Sequence, residues 1–277
     1  SKNMQPHNWM LSNELTLDDN IVDMQAVGGS LFVATDGHPY VISADGACDD
    51  MKCRGVAKYD VPMPMINCHT GKGSVATPMG MVYASTDGLV MLTEAGQPSI
   101  ITSDFLSADD WRMLEPQTTR LAYHKGALFV VTNAISFIMW MDNITYKDSE
   151  HKNLVTISDE PIDMTETRQG ELLLMKEDGI YQWNASEKLR PYKWVSEEIQ
   201  SGFLLGITRI RARVLDCRTD VTLESKWGEI TRSHSPQSGI IPYGRLARHT
   251  NHFIRAEGTG ELSELVIGVS GLDMGTK

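Results

Sequence analysis

The feature that most restricts the fold of this chain is a hairpin unit met four times. In its clearest copy, Gly170-Glu171-Leu172-Leu173-Leu174-Met175-Lys176-Glu177-Asp178-Gly179-Ile180-Tyr181-Gln182-Trp183, two short apolar runs are joined at Asp-Gly. Asp-Gly between apolar runs signals a hairpin, because tight turns need positive φ angles that glycine tolerates. Gly29 to Thr35 leads through Asp36-Gly37 into Tyr40-Val41-Ile42, and Gly80 to Thr86 leads through Asp87-Gly88 into Leu89 to Leu92. Gly126 to Thr132 leads through Asn133 into Ile135 to Trp140. The opening glycines are 51, 46 and 44 residues apart, the period of a four-stranded propeller blade. Gly37, Gly88 and Gly179 are therefore expected in tight turns with positive φ.

Runs such as Leu128 to Val131 and Leu172 to Met175 are apolar on both faces. A lone hairpin cannot bury two faces, whereas stacked small sheets can. Upstream segments such as Arg120-Leu121-Ala122-Tyr123 and Pro161-Ile162-Asp163-Met164 add a third strand to a unit, with room for a fourth. A sandwich of the same hairpins is the competing architecture. Val61-Pro62-Met63-Pro64-Met65 carries two prolines and is an edge or connector. Ser107 is placed to cap a helical turn over Ala108 to Leu114, and Trp194 to Gln200 is the one other stretch able to make more than a turn of helix.

After Trp194 the texture changes. Gly206 to Leu215, Asp220 to Gly228, Asn251 to Gly258 and Glu264 to Val269 read as strands, the first of them alternating with one wet face. Thr231 to Gly244 reads as a long exposed loop. The expected fold is all-β: an N-terminal arm over 1–19, about four propeller-like hairpin units over 20–190, and a β-sandwich-like module over 191–277. The first unit is poor in strand signal before Met24, so the visible units are too few to close a ring. Ser1 to Asn20 lacks the basic start and apolar core of a signal peptide, and the chain opens without Met. The expectation is a fragment whose remaining blades lie upstream.

No run approaches the ~18 uncharged apolar residues of a membrane helix. The net charge of −11 argues against nucleic-acid binding by the whole surface. Basic residues nevertheless gather at Arg209, Arg211 and Arg213, and again at Arg245, Arg248, His249, His252 and Arg255. They are read as exposed strand positions or as a contact surface for an acidic partner. Cys48, Cys53, Cys68 and His69 lack paired CxxC knuckles, so neither metal nor other cofactor is expected. Gly71-Lys72-Gly73-Ser74 lacks phosphate-loop spacing. His249 and His252 would face opposite sides of a strand. Asp49-Asp50 and Asp109-Asp110 read as solvated loop carboxylates. No catalytic constellation emerges.

One family resemblance rests on the order of segments after the last hairpin unit. Tyr192-Lys193-Trp194-Val195-Ser196-Glu197-Glu198-Ile199 precedes Arg209 to Val214 and Val221-Thr222-Leu223. Ile241 to Ala247, Phe253 to Gly260 and the apolar strand Leu262 to Val269 follow. Over about 160–274 this resembles the β-propeller structural proteins of tailed-phage virions, specifically the tail nozzle or head-to-tail proteins of short-tailed phages. The resemblance implies a non-enzymatic virion tail component in a ring of identical subunits, six in number, beside other tail proteins. DNA would pass through its ejection channel without specific binding, and no membrane is involved. The interface residues would be Arg209, Arg211, Arg213, Arg245 and Arg248. The alternative function is a carbohydrate-binding or carbohydrate-cleaving β-propeller, such as a receptor-binding tail component or a glycosidase. An aromatic-lined cleft with two facing carboxylates would favour it.

Overall fold

The computed structural model describes residues 15–45, 52–69, 71–94, 97–141, 154–186, 190–205, 207–215, 218–226, 228–243, 249–259 and 261–269. The chain divides into two compact units, Ser1–Asn184 and Ala185–Lys277. The unit boundary therefore lies a few residues before the 190/191 position expected from sequence texture.

The first unit is a series of antiparallel meanders. Strands β1 (Ile21–Val27), β2 (Ser30–Thr35), β3 (Tyr40–Asp45) and β4 (Lys52–Lys58) form one sheet in sequence order. The second sheet is β5 (Ser74–Thr77), β6 (Gly80–Ser85), β7 (Gly88–Leu92) and β8 (Ser99–Ile100). The helix α1 (Ala108–Met113) and a 3₁₀ turn at Pro116–Thr118 lead to the third sheet. That sheet is β9 (Arg120–His124), β10 (Ala127–Val131), β11 (Ser136–Trp140) and β12 (Leu154–Ile157). The fourth has three strands, β13 (Asp163–Glu166), β14 (Leu172–Lys176) and β15 (Gly179–Gln182). The first sheet begins at Ile21, within the expected 20–190 span, although the strand signal before Met24 is weak.

The two-faced apolar runs are explained by stacking. Alternate residues of β6 point to opposite neighbours. Met81 and Tyr83 pack with Phe32, Ala34 and Val41 of the first sheet. Val82 and Ala84 pack with Leu128, Val130, Phe137 and Met139 of the third. Ala127, Phe129 and Val131 then meet Met164, Leu172 and Leu174 of the fourth. Among the described residues no buried cluster joins the fourth sheet to the first. The far face of the fourth sheet leaves Met175 and Ile180 exposed, Ile180 at 69%.

Turn chemistry differs from the Asp-Gly expectation. In the second and fourth sheets the two-residue connections are Thr86-Asp87 and Glu177-Asp178, and the glycine is the first residue of the next strand. Gly88 and Gly179 do have positive φ, 152° and 157°. Gly37 does not: it sits within a four-residue connection held by the Thr35 hydroxyl, which donates to the His38 carbonyl (2.6 Å) and accepts from the Gly37 amide (3.1 Å). A side chain at Gly37 would instead fall on the Asp19 carboxylate. The mirror-image turns that match strand twist lie at the other end, at Gly28-Gly29 and at Lys125-Gly126, where φ is 48° and 83°.

The second unit is a two-layer module. One layer runs β16 (Pro191–Val195), β22 (His249–Thr259), β19 (Thr219–Ser225), β20 (Gly228–His234), with β17 (Ile199–Leu205) also pairing β22. The other runs β21 (Ile241–Pro242), β18 (Ile207–Leu215), β23 (Glu261–Val269). Ile210, Ala212 and Val214 of β18 face Val221 and Leu223 of β19 and Ile254 and Ala256 of β22 in one core. Two sequence expectations are corrected here. Trp194 to Gln200 is not helical, because β16 and β17 pair with β22 instead. Thr231 to His234 is not loop: it continues β20, with the Thr231 and Thr222 hydroxyls 2.8 Å apart across the ladder.

Inside this core the Tyr243 hydroxyl donates to the Val221 carbonyl (2.8 Å) and lies 3.0 Å from His234 Nε2. Both side chains are fully buried, and burial holds the His234 imidazole below its ordinary value of 6.5. The unfolded chain therefore takes up this proton more readily than the folded one. The His234 contribution is intact above about pH 6.5 and is lost as pH falls toward the lower folded value. His234→Gln is expected to flatten the fall in urea midpoint between pH 7 and 5. An unchanged slope would place the titrating group elsewhere.

Candidate functional site

A concavity lined by aromatic and polar side chains lies between the third and fourth sheets, at the end carrying the Lys125-Gly126 turn. It encloses about 290 Å³. Its apolar wall is Ala127, Phe129, Ile138, Trp140, Leu172 and Trp183, and its polar rim includes Lys125, Glu171, Gln182 and Asn184. Register places these side chains. Trp140 ends β11 opposite Ala127, and the Trp183 amide donates to the Leu172 carbonyl (2.8 Å) just beyond β15. Phe129 meets Trp183 edge to face at 5.1 Å. His124 Nδ1 lies 3.0 Å from Glu166 Oε1 and joins the third sheet to the fourth. Gln182 Nε2 donates to Glu171 Oε1 (3.2 Å) along the rim. Trp140 keeps 37% of its surface exposed. A second opening of similar size lies between the first two sheets, lined by Val27, Phe32, Pro78, Met79, Thr93 and Glu94, with no tryptophan.

The cleft was not among the candidate sites read from sequence. Its signal was available: Trp140 and Trp183 close the same hairpin in consecutive units, 14 and 13 residues after Gly126 and Gly170. The pair of facing carboxylates that would favour the carbohydrate-cleaving alternative is not among the described lining residues, where Glu171 is the one carboxylate.

The basic residues divide. Arg209, Arg211 and Arg213 share the outer face of β18, opposite the buried Ile210, Ala212 and Val214. Arg211 lies 3.6 Å from Glu264 of β23, while Arg209 and Arg213 are exposed. Arg255 is on the other layer and pairs with Glu224 at 2.8 Å, and His252 is fully buried. Arg245 and Arg248 lie outside the described residues.

The remaining motifs have structural partners. Lys72 pairs with Asp163 (2.8 Å) and donates to the Met164 carbonyl. Asp87 and Asp109 both hold Arg112. Cys68 is a free buried thiol whose burial pushes it up to about 11. Among the described residues no His, Cys, Asp and Glu cluster has metal-binding geometry, and no helix is long and apolar enough to cross a membrane. Cys48 and Asp49-Asp50 lie outside the described residues.

The architecture defines an all-β protein of serial meander sheets followed by a β-sandwich-like module. No protein-family model matches the sequence, and no curated protein matches it.

Proposed function

We propose that this chain is a non-enzymatic structural component of a short-tailed phage tail, of the nozzle or hub type, working as a ring of identical subunits along the DNA-ejection path. The observation that supports this most is the convergence of the segments carrying the family resemblance. Tyr192–Val195, Arg209–Val214, Val221–Leu223, Phe253–Thr259 and Leu262–Val269 are far apart in sequence, yet they form β16, β18, β19, β22 and β23 of one module with one core. Ser196 completes the join of β16 to β22: its amide donates to the Ile254 carbonyl (2.8 Å) and its hydroxyl accepts from the Ile254 amide (3.0 Å).

Charge fits the same role. The whole chain carries a net charge of −11, and an acidic channel wall would repel duplex DNA within roughly a Debye length, ~8 Å at physiological salt. DNA that must pass quickly is then not held by phosphate contacts. The outward stripe of Arg209, Arg211 and Arg213 is left for neighbouring protein. The test pairs two measurements on the full-length protein: solution mass by light scattering and duplex binding at low salt. A ring-sized mass and no measurable DNA binding are expected. A stable monomer at all concentrations, or sub-micromolar duplex binding that weakens steeply with salt, would overturn the assignment.

A further inference from the structure

We infer that the cleft between the third and fourth sheets is a binding subsite for a single saccharide ring, with no cleavage of the bound sugar. The cleft has the two parts such a ligand needs. A pyranose presents flat patches of C–H bonds, which pack on exposed aromatic faces, and a rim of hydroxyls, each both donor and acceptor. The indoles of Trp140 and Trp183 supply the apolar side, with the buried ring of Phe129 behind Trp183. Gln182 and Asn184 carry amides able to donate and accept, Glu171 accepts, and Lys125 donates. At about 290 Å³ the space is at the small end of ligand pockets, which suits one ring rather than an oligosaccharide.

The opening between the first two sheets is an internal comparison. It is a wedge of the same origin and similar size, yet its described lining, Val27, Gly28, Phe32, Pro78, Met79, Thr93 and Glu94, holds no tryptophan and no side-chain amide. Wedge geometry alone therefore does not account for the chemistry of the second cleft. The lining is also braced by packing and polar contacts. Phe129 is buried and braces Trp183 edge to face, and His124 with Glu166 ties the two sheets together behind the rim. Binding without hydrolysis is inferred because glycoside cleavage uses two carboxylates across the bond, and among the described lining residues Glu171 is the one carboxylate.

The test uses the whole chain with glucose, galactose, mannose and N-acetylglucosamine, each followed by saturation-transfer NMR and by tryptophan fluorescence. At least one sugar is expected to bind with Kd of about 1 mM, the strength of a small ligand making few contacts. Trp140→Ala is expected to weaken that sugar at least tenfold and Gln182→Ala about fivefold; Gln182 is exposed, so its variant should keep the parent melting temperature and separates lost binding from any stability lost with the partly buried Trp140 ring. Met79→Ala, in the other opening, should change nothing. Absence of transfer from all four sugars at 20 mM would overturn the inference. So would transfer that survives both cleft variants, which would mark adventitious surface contact. Ring assembly is read separately by solution mass, so failure here is distinguishable from failure of the structural role.

Discussion

Trp111→Ala is expected to cost about 4 kcal/mol of stability, the middle of the range for emptying a buried aromatic site. Trp111 is fully buried and sits in the core shared by Leu89, Leu121, Leu128 and Met139 of the second and third sheets. Its Nε1 donates to the Ser85 carbonyl at 2.8 Å, so truncation removes volume and also strips a buried acceptor of its partner. The helix that carries it has six residues, too short to persist alone. Ser107 caps it by accepting from the Asp110 amide (3.1 Å), but the tryptophan is what fastens it to the sheets. Trp111→Phe keeps most of the packing and loses the hydrogen bond, so about 1–2 kcal/mol is expected. Urea midpoints at constant slope measure both. A loss under 1 kcal/mol for the alanine variant would show that α1 is not part of this core.

Gly80→Ala is the second large effect, about 3 kcal/mol or more. Gly80 opens β6 with φ of 146° and faces Thr77 across the Pro78-Met79 turn. An added Cβ would land on the carbonyl oxygen of Leu92, which is backbone at the end of β7 and cannot swing away. The Thr77 hydroxyl donates to the Gly80 carbonyl (3.0 Å) and pins the turn further. Gly179 separates the two causes. Its φ is 157°, but the nearest atom to an added Cβ is Tyr181 Cε2 at 3.9 Å. Gly179→Ala should therefore cost only about 1 kcal/mol, the share owed to backbone conformation. Equal losses at the two positions, measured by thermal or urea unfolding, would mean that the close approach to Leu92 is unimportant.

The hairpins, their number and their need for neighbours were legible because they depend on local pattern. Leu128 to Val131 cannot be half-wet on either face, and both Ser107 and Asp87-Gly88 act on residues within a few positions. The alternation of Arg209, Arg211 and Arg213 with Ile210, Ala212 and Val214 likewise assigned one face to solvent before any partner strand was known. Period-two patterning depends only on the geometry of a strand.

Tertiary structure decided what depends on partners distant in sequence. Gly37 has its place because Asp19 arrives beside it, not because its own turn requires positive φ. Trp194 to Gln200 has a local pattern compatible with helix, and pairing with β22 more than 50 residues later overrides it. Thr231 to His234 looks like loop until β19 supplies a ladder. The cleft is the fullest case. Trp140 and Trp183 lie near the ends of the hairpins of two consecutive units, one register step apart, but only the stacking of those units turns two strand-end aromatics into one concave surface with Gln182 and Asn184 on its rim. Strand identity is a property of neighbouring residues, whereas a site is made by side chains that meet only after the sheets have packed.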